Sequence, residues 1–269
     1  MKIGIIGGTG FYQPGLLDNE KDEVLRTPYG DVNLKTGWYK DRQVVFLARH
    51  GVKHTVPPHL VNYRANIWAL HSSGVTKVIA TAAVGSLNED MRPGDIVLVD
   101  QFIDFTKSRP QTFFEGGEAG VLHVDMTHPY CPELRSEIFQ IASRSRIPVH
   151  RCGTYACTEG PRYETPAEVR MLRKLGGDVV GMTSVPEVVL AREAGLCYAA
   201  LALITNYGAG ISPHPLSHRE VLEAMERAQE VLRRLIFSAV EQLREERNCS
   251  CASAADELGS LGRKTDKKE

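Results

Sequence analysis

A chain of 269 residues, 42% hydrophobic and 24% charged with a formal net charge of −1, suits one large α/β domain or two small ones around a substantial core. Its near-neutral balance offers no basic field to recruit nucleic acid or acidic lipid, so a phosphate-bearing ligand needs a local site. No run approaches the roughly 18 apolar residues of a membrane span, and the apolar part of MKIGIIGGTG is too short and Gly-rich for a secretory signal, so the chain reads as cytoplasmic.

Lys2–Ile6 is the first predicted strand, and Gly7-Gly8-Thr9-Gly10 follows it. Three readings of that turn stay open. A dinucleotide turn needs another glycine where the chain has Gln13, with helix-breaking Pro14 behind it. A phosphate-binding turn would use the Thr9 hydroxyl and the glycine amides. A purely structural tight turn needs no ligand.

The second predicted strand, Gln43–Ala48, ends on Arg49-His50-Gly51. Ligands gather at such strand ends, where Arg offers a fixed fork for phosphate oxygens and His one more bond. A surface Arg-His pair has the same letters. His54 and His59 follow without HExxH or carboxylate spacing, so no metal is expected there. Lys77–Thr81 runs into Ala82-Ala83-Val84-Gly85-Ser86, small residues that suit either close packing or an approach of backbone N–H groups to an anion. Asp95–Asp100, Asp178–Gly181 and Tyr198–Thr205 complete the strands. Alternation of these runs with helical patterns predicts an α/β fold with a central, largely buried sheet.

Three helices are announced by capping residues. Thr165-Pro166-Ala167-Glu168 is a capping box with Pro at the first helical position, closed by Gly176-Gly177. Ser184-Val185-Pro186-Glu187 repeats the pattern, with Gly195 as its stop, and Ser217-His218-Arg219-Glu220 opens a long amphipathic helix. Glu164 and Thr183 each lie just before a cap and His218 lies in a first turn, places suited to anionic ligands. Thr183 reads either as a cap neighbour or as a phosphate ligand, and Met182 as core or as a contact for a flat sugar face.

No repeat or linker interrupts residues 1–247, which read as one domain. From Asn248 the composition turns polar, and residues 248–269 are expected to be a disordered tail carrying Cys249-Ser250-Cys251. Cys131, Cys152, Cys157 and Cys197 lack CxxC spacing, which argues for buried structural thiols and against zinc. The CxC pair is open to the same reading or to a small strained, easily reduced ring.

Glu164, within Glu159-Gly160-Pro161-Arg162-Tyr163-Glu164-Thr165, and Asn206, within Ile204-Thr205-Asn206-Tyr207-Gly208, supply a carboxylate and a carboxamide. That pair matches the edge of a 6-oxopurine. The carboxylate accepts from N1–H, and the amide donates to O6 and accepts from a protonated N7. Adenine would set a lone pair against the carboxylate, which costs a buried unpaired charge.

RHGVKHTVPPHLVNYRANIWAL, TAAVGSL, PGDIVLVDQFID, TEGPRYET, GMTSVPEVVLAREAG and LITN resemble the trimeric purine nucleoside phosphorylase and methylthioadenosine phosphorylase family, over residues 3 to about 245. The resemblance implies a single-domain phosphorylase fold with a central mixed sheet flanked by helices. It implies cleavage of a nucleoside by inorganic phosphate, a co-substrate, with no cofactor and no metal. By matching position, phosphate falls to Thr9, Arg49, His50, the Ala82–Ala83 backbone and Thr183. Met182 and Tyr163 fall to the nucleoside, and His123 reaches a neighbouring subunit's site in a trimer or dimer of trimers. Most of the chain looks like methylthioadenosine phosphorylases, yet Glu164, Asn206 and Gly208 depart from their pattern. His218 resembles a partner of the ribose 5′-hydroxyl. The expectation is a purine nucleoside phosphorylase acting on inosine or guanosine in purine salvage, with 5′-methylthioinosine or 5′-methylthioadenosine as the alternative.

Overall fold

The computed structural model describes residues 1–7, 15–51, 55–211 and 218–256, the last range without the side chains of 218–227. Among the described residues, ten strands form one mixed sheet: β1 (Lys2–Gly7), β2 (Asp18–Thr27), β3 (Gly30–Tyr39), β4 (Arg42–Ala48), β5 (Lys77–Ser86), β6 (Ile96–Leu98), β7 (Gln101–Phe105), β8 (Thr154–Thr158), β9 (Val179–Gly181) and β10 (Cys197–Tyr207). The helices are α1 (Tyr63–Ser72), α2 (Pro132–Arg144), α3 (Pro166–Lys174), α4 (Ser184–Glu193) and α5 (His218–Gln242). Strand order is β2-β3-β4-β1-β5-β9-β8-β7, with β10 on the other edge of β5 and β6 beyond it.

β1, β5 and β10 are apolar almost throughout because both faces of the sheet are covered. Val78 and Ala80 of β5 join a core with α1 and α4, while Ile79 joins one with α2 and α5. Leu232, Leu235, Ile236 and Val240 of α5 are buried as their helical spacing predicts. Each contributes about 1.5–3 kcal/mol by leaving water. All six predicted strands are present with adjusted ends. The exposed outer strand β2, DNEKDEVLRT, carries charges that block edge-to-edge pairing, which is also why hydrophobic pattern does not announce it.

The α3 box forms as read: the Thr165 hydroxyl accepts from the Glu168 amide, and the Glu168 carboxylate accepts from the Thr165 amide at 2.7 Å. Gly176, at φ +91°, ends the helix. The second box does not form. Val185 has non-helical φ −111°, ψ 131°, the Ser184 hydroxyl bonds the Tyr130 hydroxyl, and Glu187 turns into the interior.

The chain after residue 247 departs from the expected disorder as far as Asp256. Ser250–Ser253 form a 3₁₀ turn, Cys251 and Ala255 are buried, and the amides of Asn248 and Cys249 donate to the Glu133 carboxylate at 2.9 and 3.1 Å. A few apolar anchors and one acidic partner outweigh a polar composition. Cys249 and Cys251 are free thiols, with no ring between them.

Candidate active site

β5 shares one edge between two strands. Residues 77–80 pair with β1 and residues 85–86 with β9, so among the described residues no strand pairs with that edge along 81–84. A strand residue's N–H and C=O point to the same side, and alternate residues to opposite sides. The Thr81 carbonyl accepts from Arg49 Nη1 at 2.8 Å on this edge, so the backbone of Ala83 faces the same interruption. Ala83 is exposed and Ala82 buried.

Arg49, at the end of β4, is 4% exposed and its fork is engaged by a carboxylate. Nε donates to Glu187 Oε2 at 2.6 Å and Nη2 to Glu187 Oε1 at 2.7 Å, while the Tyr198 hydroxyl donates to the same Oε1 at 2.7 Å. Burial opposes the guanidinium charge, but the Glu187 carboxylate outweighs it and holds the group firmly protonated. With Nη1 also given to the Thr81 carbonyl, three of the five guanidinium N–H groups are used and two η N–H groups remain outside these bonds. His50, also buried, donates from Nδ1 to the Val56 carbonyl at 2.8 Å. Because a carbonyl only accepts, Nδ1 carries a proton.

Asn206 sits just past a β-bulge. Register runs Ile204↔Val84 and then Asn206↔Gly85, leaving Thr205 as the extra residue. Bulges re-aim side chains at functional sites. Here the Thr205 hydroxyl donates to Asn206 Oδ1 at 2.8 Å and Asn206 Nδ2 donates to the Tyr207 carbonyl at 2.8 Å. Gly85 makes the room: a Cβ there would stand 3.2 Å from Asn206 Nδ2 and 3.3 Å from Val180 Cγ1. Asn206, Gly85, Val180 and Ala156 lie in one line across four strands. Three interstrand steps of about 4.8 Å make roughly 14 Å in all. Two residues beyond Ala156, the Thr158 hydroxyl donates to Glu164 Oε1 at 2.7 Å and so hangs the half-buried Glu164 from β8.

Met182 and Thr183 follow β9. A Cβ at Gly160, itself at φ +68°, would fall 2.5 Å from Met182 Sδ, so glycine lets the methionine lie against that turn. Thr183 is buried and its amide donates to the Tyr155 hydroxyl at 3.3 Å. Tyr163 is 40% exposed beside Glu164. Gly208 is packed: a Cβ there would lie 3.2 Å from both the Ser86 carbonyl and Val169 Cγ1. His123 stands exposed in the loop after Gly117–Ala119. Thr9, and the side chain of His218, lie outside the described residues.

The profile of the Phosphorylase superfamily matches residues 2–241. The chain belongs to the phosphorylase superfamily. This phosphorylase is 58% identical, over 96% of its length and 99% of the relative's, to a probable 6-oxopurine nucleoside phosphorylase of Moorella thermoacetica. It is 51% identical to the 6-oxopurine nucleoside phosphorylase of Pyrococcus furiosus, over 94% and 97% of the two chains. With the S-methyl-5'-thioadenosine phosphorylase of Nitrosopumilus maritimus it shares 44% over 96% and 97%. Among solved structures, methylthioadenosine phosphorylase from Schistosoma mansoni in complex with adenine superposes with a TM-score of 0.89, at 36% identity and 96% coverage of each chain.

Sequence reading missed two charged residues that hold candidate-site residues of this phosphorylase in place. Glu187 looks like a capping residue because Ser184 precedes it by three, and only the fold brings it to Arg49. Arg109, in a loop with no periodicity, is buried and stitches the end of β8 to the β9–α4 connection. It donates from Nη1 to the Met182 and Val185 carbonyls at 2.7 Å each and from Nη2 to the Glu159 carbonyl at 2.7 Å. Cys157 is a packing thiol, pushed up to about 12 by burial.

Proposed function

We propose that this phosphorylase catalyses the reversible phosphorolysis of 6-oxopurine nucleosides, inosine, guanosine and their deoxy forms, to the free base and (deoxy)ribose 1-phosphate. The observation that carries the reading is Asn206, re-aimed by the Thr205 bulge against Gly85, in line with the strand that holds Glu164. The N1–H, O6, N7 edge of a bicyclic base matches the acceptors of a carboxylate and the paired donor and acceptor of a carboxamide, which supports the reading.

Phosphate would lie at the interrupted edge of β5, taking the N–H of Ala83, whose neighbour Ala82 turns its own N–H toward β10, together with the Thr183 hydroxyl and the two η N–H groups left to Arg49. The Thr9 turn completes the site in this reading. The Arg49–Glu187 pair is close to neutral, so the backbone dipoles and His50 supply much of the recognition. The N9–C1′ bond breaks with its electron pair moving onto the purine, and a phosphate oxygen forms the new bond to C1′ with inversion. Asn206 holds the charge that builds at O6 and N7 while Glu164 holds N1–H, interactions that strengthen at the transition state. Met182 and Tyr163 cover the sugar and base, and His218 meets the 5′-hydroxyl. The chemistry needs no cofactor, because the leaving group is stabilised by side chains and phosphate is itself the nucleophile. The chain works as a homo-oligomer, a trimer or dimer of trimers, into which the exposed His123 and Val121 project.

Phosphate-dependent base release from inosine, guanosine, 5′-methylthioinosine, adenosine and 5′-methylthioadenosine, measured in parallel, tests the reading. Fast release from inosine and guanosine is expected. Preference for methylthioinosine would keep the base assignment and move the 5′ one. Methylthioadenosine as the best substrate, the alternative that part of the family's naming favours, would overturn both.

A further inference from the structure

Four cysteines from three separate parts of the chain meet at the far end of β10 from Asn206, about 30 Å away along an extended strand. Cys131 caps α2, Cys197 opens β10, and Cys249 and Cys251 arrive from the segment after α5. Their Sγ atoms all lie within 4.8 Å of one another, and those of Cys197 and Cys249 are 3.3 Å apart. Tetrahedral bonds of about 2.3 Å from one ion to four sulfurs place those sulfurs about 3.8 Å apart. The observed separations lie about that spacing, so side-chain shifts of no more than about half an ångström per sulfur close it.

The surroundings suit anionic sulfur. The Leu134 amide, at the N-terminus of α2, donates to Cys131 Sγ at 3.4 Å, and Arg192 Nη1 donates to Cys251 Sγ at 3.4 Å. The helix terminus and the guanidinium offset the charge that four thiolates leave on a divalent ion. Glu133 is occupied by the Asn248 and Cys249 amides, so it shapes the loop rather than repelling the sulfurs. Three of the four cysteines are buried, and partly exposed Cys249 gives an ion its way in.

We propose that Cys131, Cys197, Cys249 and Cys251 form a tetrathiolate site for a structural zinc ion. Binding releases the thiol protons to solvent and leaves no open coordination position, so the ion takes no part in phosphorolysis. Its work is to fasten the C-terminal segment to α2 and β10. The CxxC spacing that sequence reading looked for is replaced by one CxC pair and two cysteines that the fold delivers singly.

The test uses full-length protein made with zinc in the medium and purified under reducing, oxygen-free conditions. Elemental analysis is expected to find about one zinc per chain. Refolding with cobalt(II) is expected to give the intense absorption of a tetrahedral thiolate centre. Cys251→Ser and Cys249→Ser are each expected to lose about tenfold or more in zinc retained against a competing chelator, while Cys152→Ser, at an exposed thiol outside the cluster, retains it. The wild-type measurements stand even if a variant fails to fold. Zinc well below stoichiometry in reduced wild-type protein, or a native mass showing the four sulfurs joined as disulfides under the same conditions, overturns the proposal.

Discussion

On the proposed reading, substrate choice turns on Asn206. Its amide offers a donor and an acceptor side by side, whereas Asp offers acceptors alone unless protonated. Asn206→Asp is therefore expected to lower kcat/KM for inosine about 10²-fold or more, by analogy with the roughly 2.7–4 kcal/mol of an oxyanion-hole donor, and to raise relative activity on adenosine. An unchanged inosine-to-adenosine ratio would remove Asn206 from the base site. Gly85→Ala probes the same place from behind, because its Cβ would press on Asn206 Nδ2. Slower inosine turnover with a near-normal melting temperature is expected. Glu187 belongs to stability as much as to the site. Glu187→Ala strands the buried Arg49 charge, a defect of about 3–5 kcal/mol that urea unfolding will read. A loss under about 1 kcal/mol would mean that water or another group takes over the guanidinium.

At the scale of elements, the Thr165 cap fixes where α3 begins and, one residue earlier, where Glu164 stands. Glu168 accepts from Arg162 and from the Thr165 amide, and these bonds hold its carboxyl at about 2, below the usual 4.5. A depressed carboxylate contributes stability above its unfolded value and loses it as pH falls toward the folded one. The melting-temperature gap between wild type and Glu168→Gln is thus expected to be full near neutrality and to shrink as pH drops from 4.5 toward 2. The group is exposed to solvent, so the gap corresponds to under about 1 kcal/mol. A gap that ignores pH would leave hydrogen bonding alone as the cause. This cap was legible in the sequence because its partners are three residues apart. The same four-residue pattern at Ser184 misled, since burial at the core recruited Glu187 for Arg49 over a separation of 138 residues. β1, β5 and β10 were legible from apolar runs, whereas β2 and β3 were not, their outer faces being polar. Glu164 and Asn206 were readable as chemistry, but the bulge that aims one and the threonine that hangs the other exist only after folding.

For the molecule as a whole, the segment through Asp256 acts as a clasp over α2 and the start of β10. Ending the chain after residue 247 removes the buried Cys251 and Ala255 and leaves the Glu133 carboxylate without its two amides. The expected fall in melting temperature is several degrees, at about 2–4 °C for each kcal/mol in a chain of this size. An unmoved transition would make the segment a passenger. The interrupted edge of β5 has a different kind of consequence. An amide belongs to every residue but proline, so exchanging the side chain of Ala83 for another leaves its N–H where it was. On the proposed reading, anion recognition is inherited with the topology and is nearly invisible to point substitution. Recognition of the base hangs on two side chains, one beyond a bulge and one in a loop. A lineage built on this sheet is free to change which nucleoside it cuts while what it cuts with stays the same.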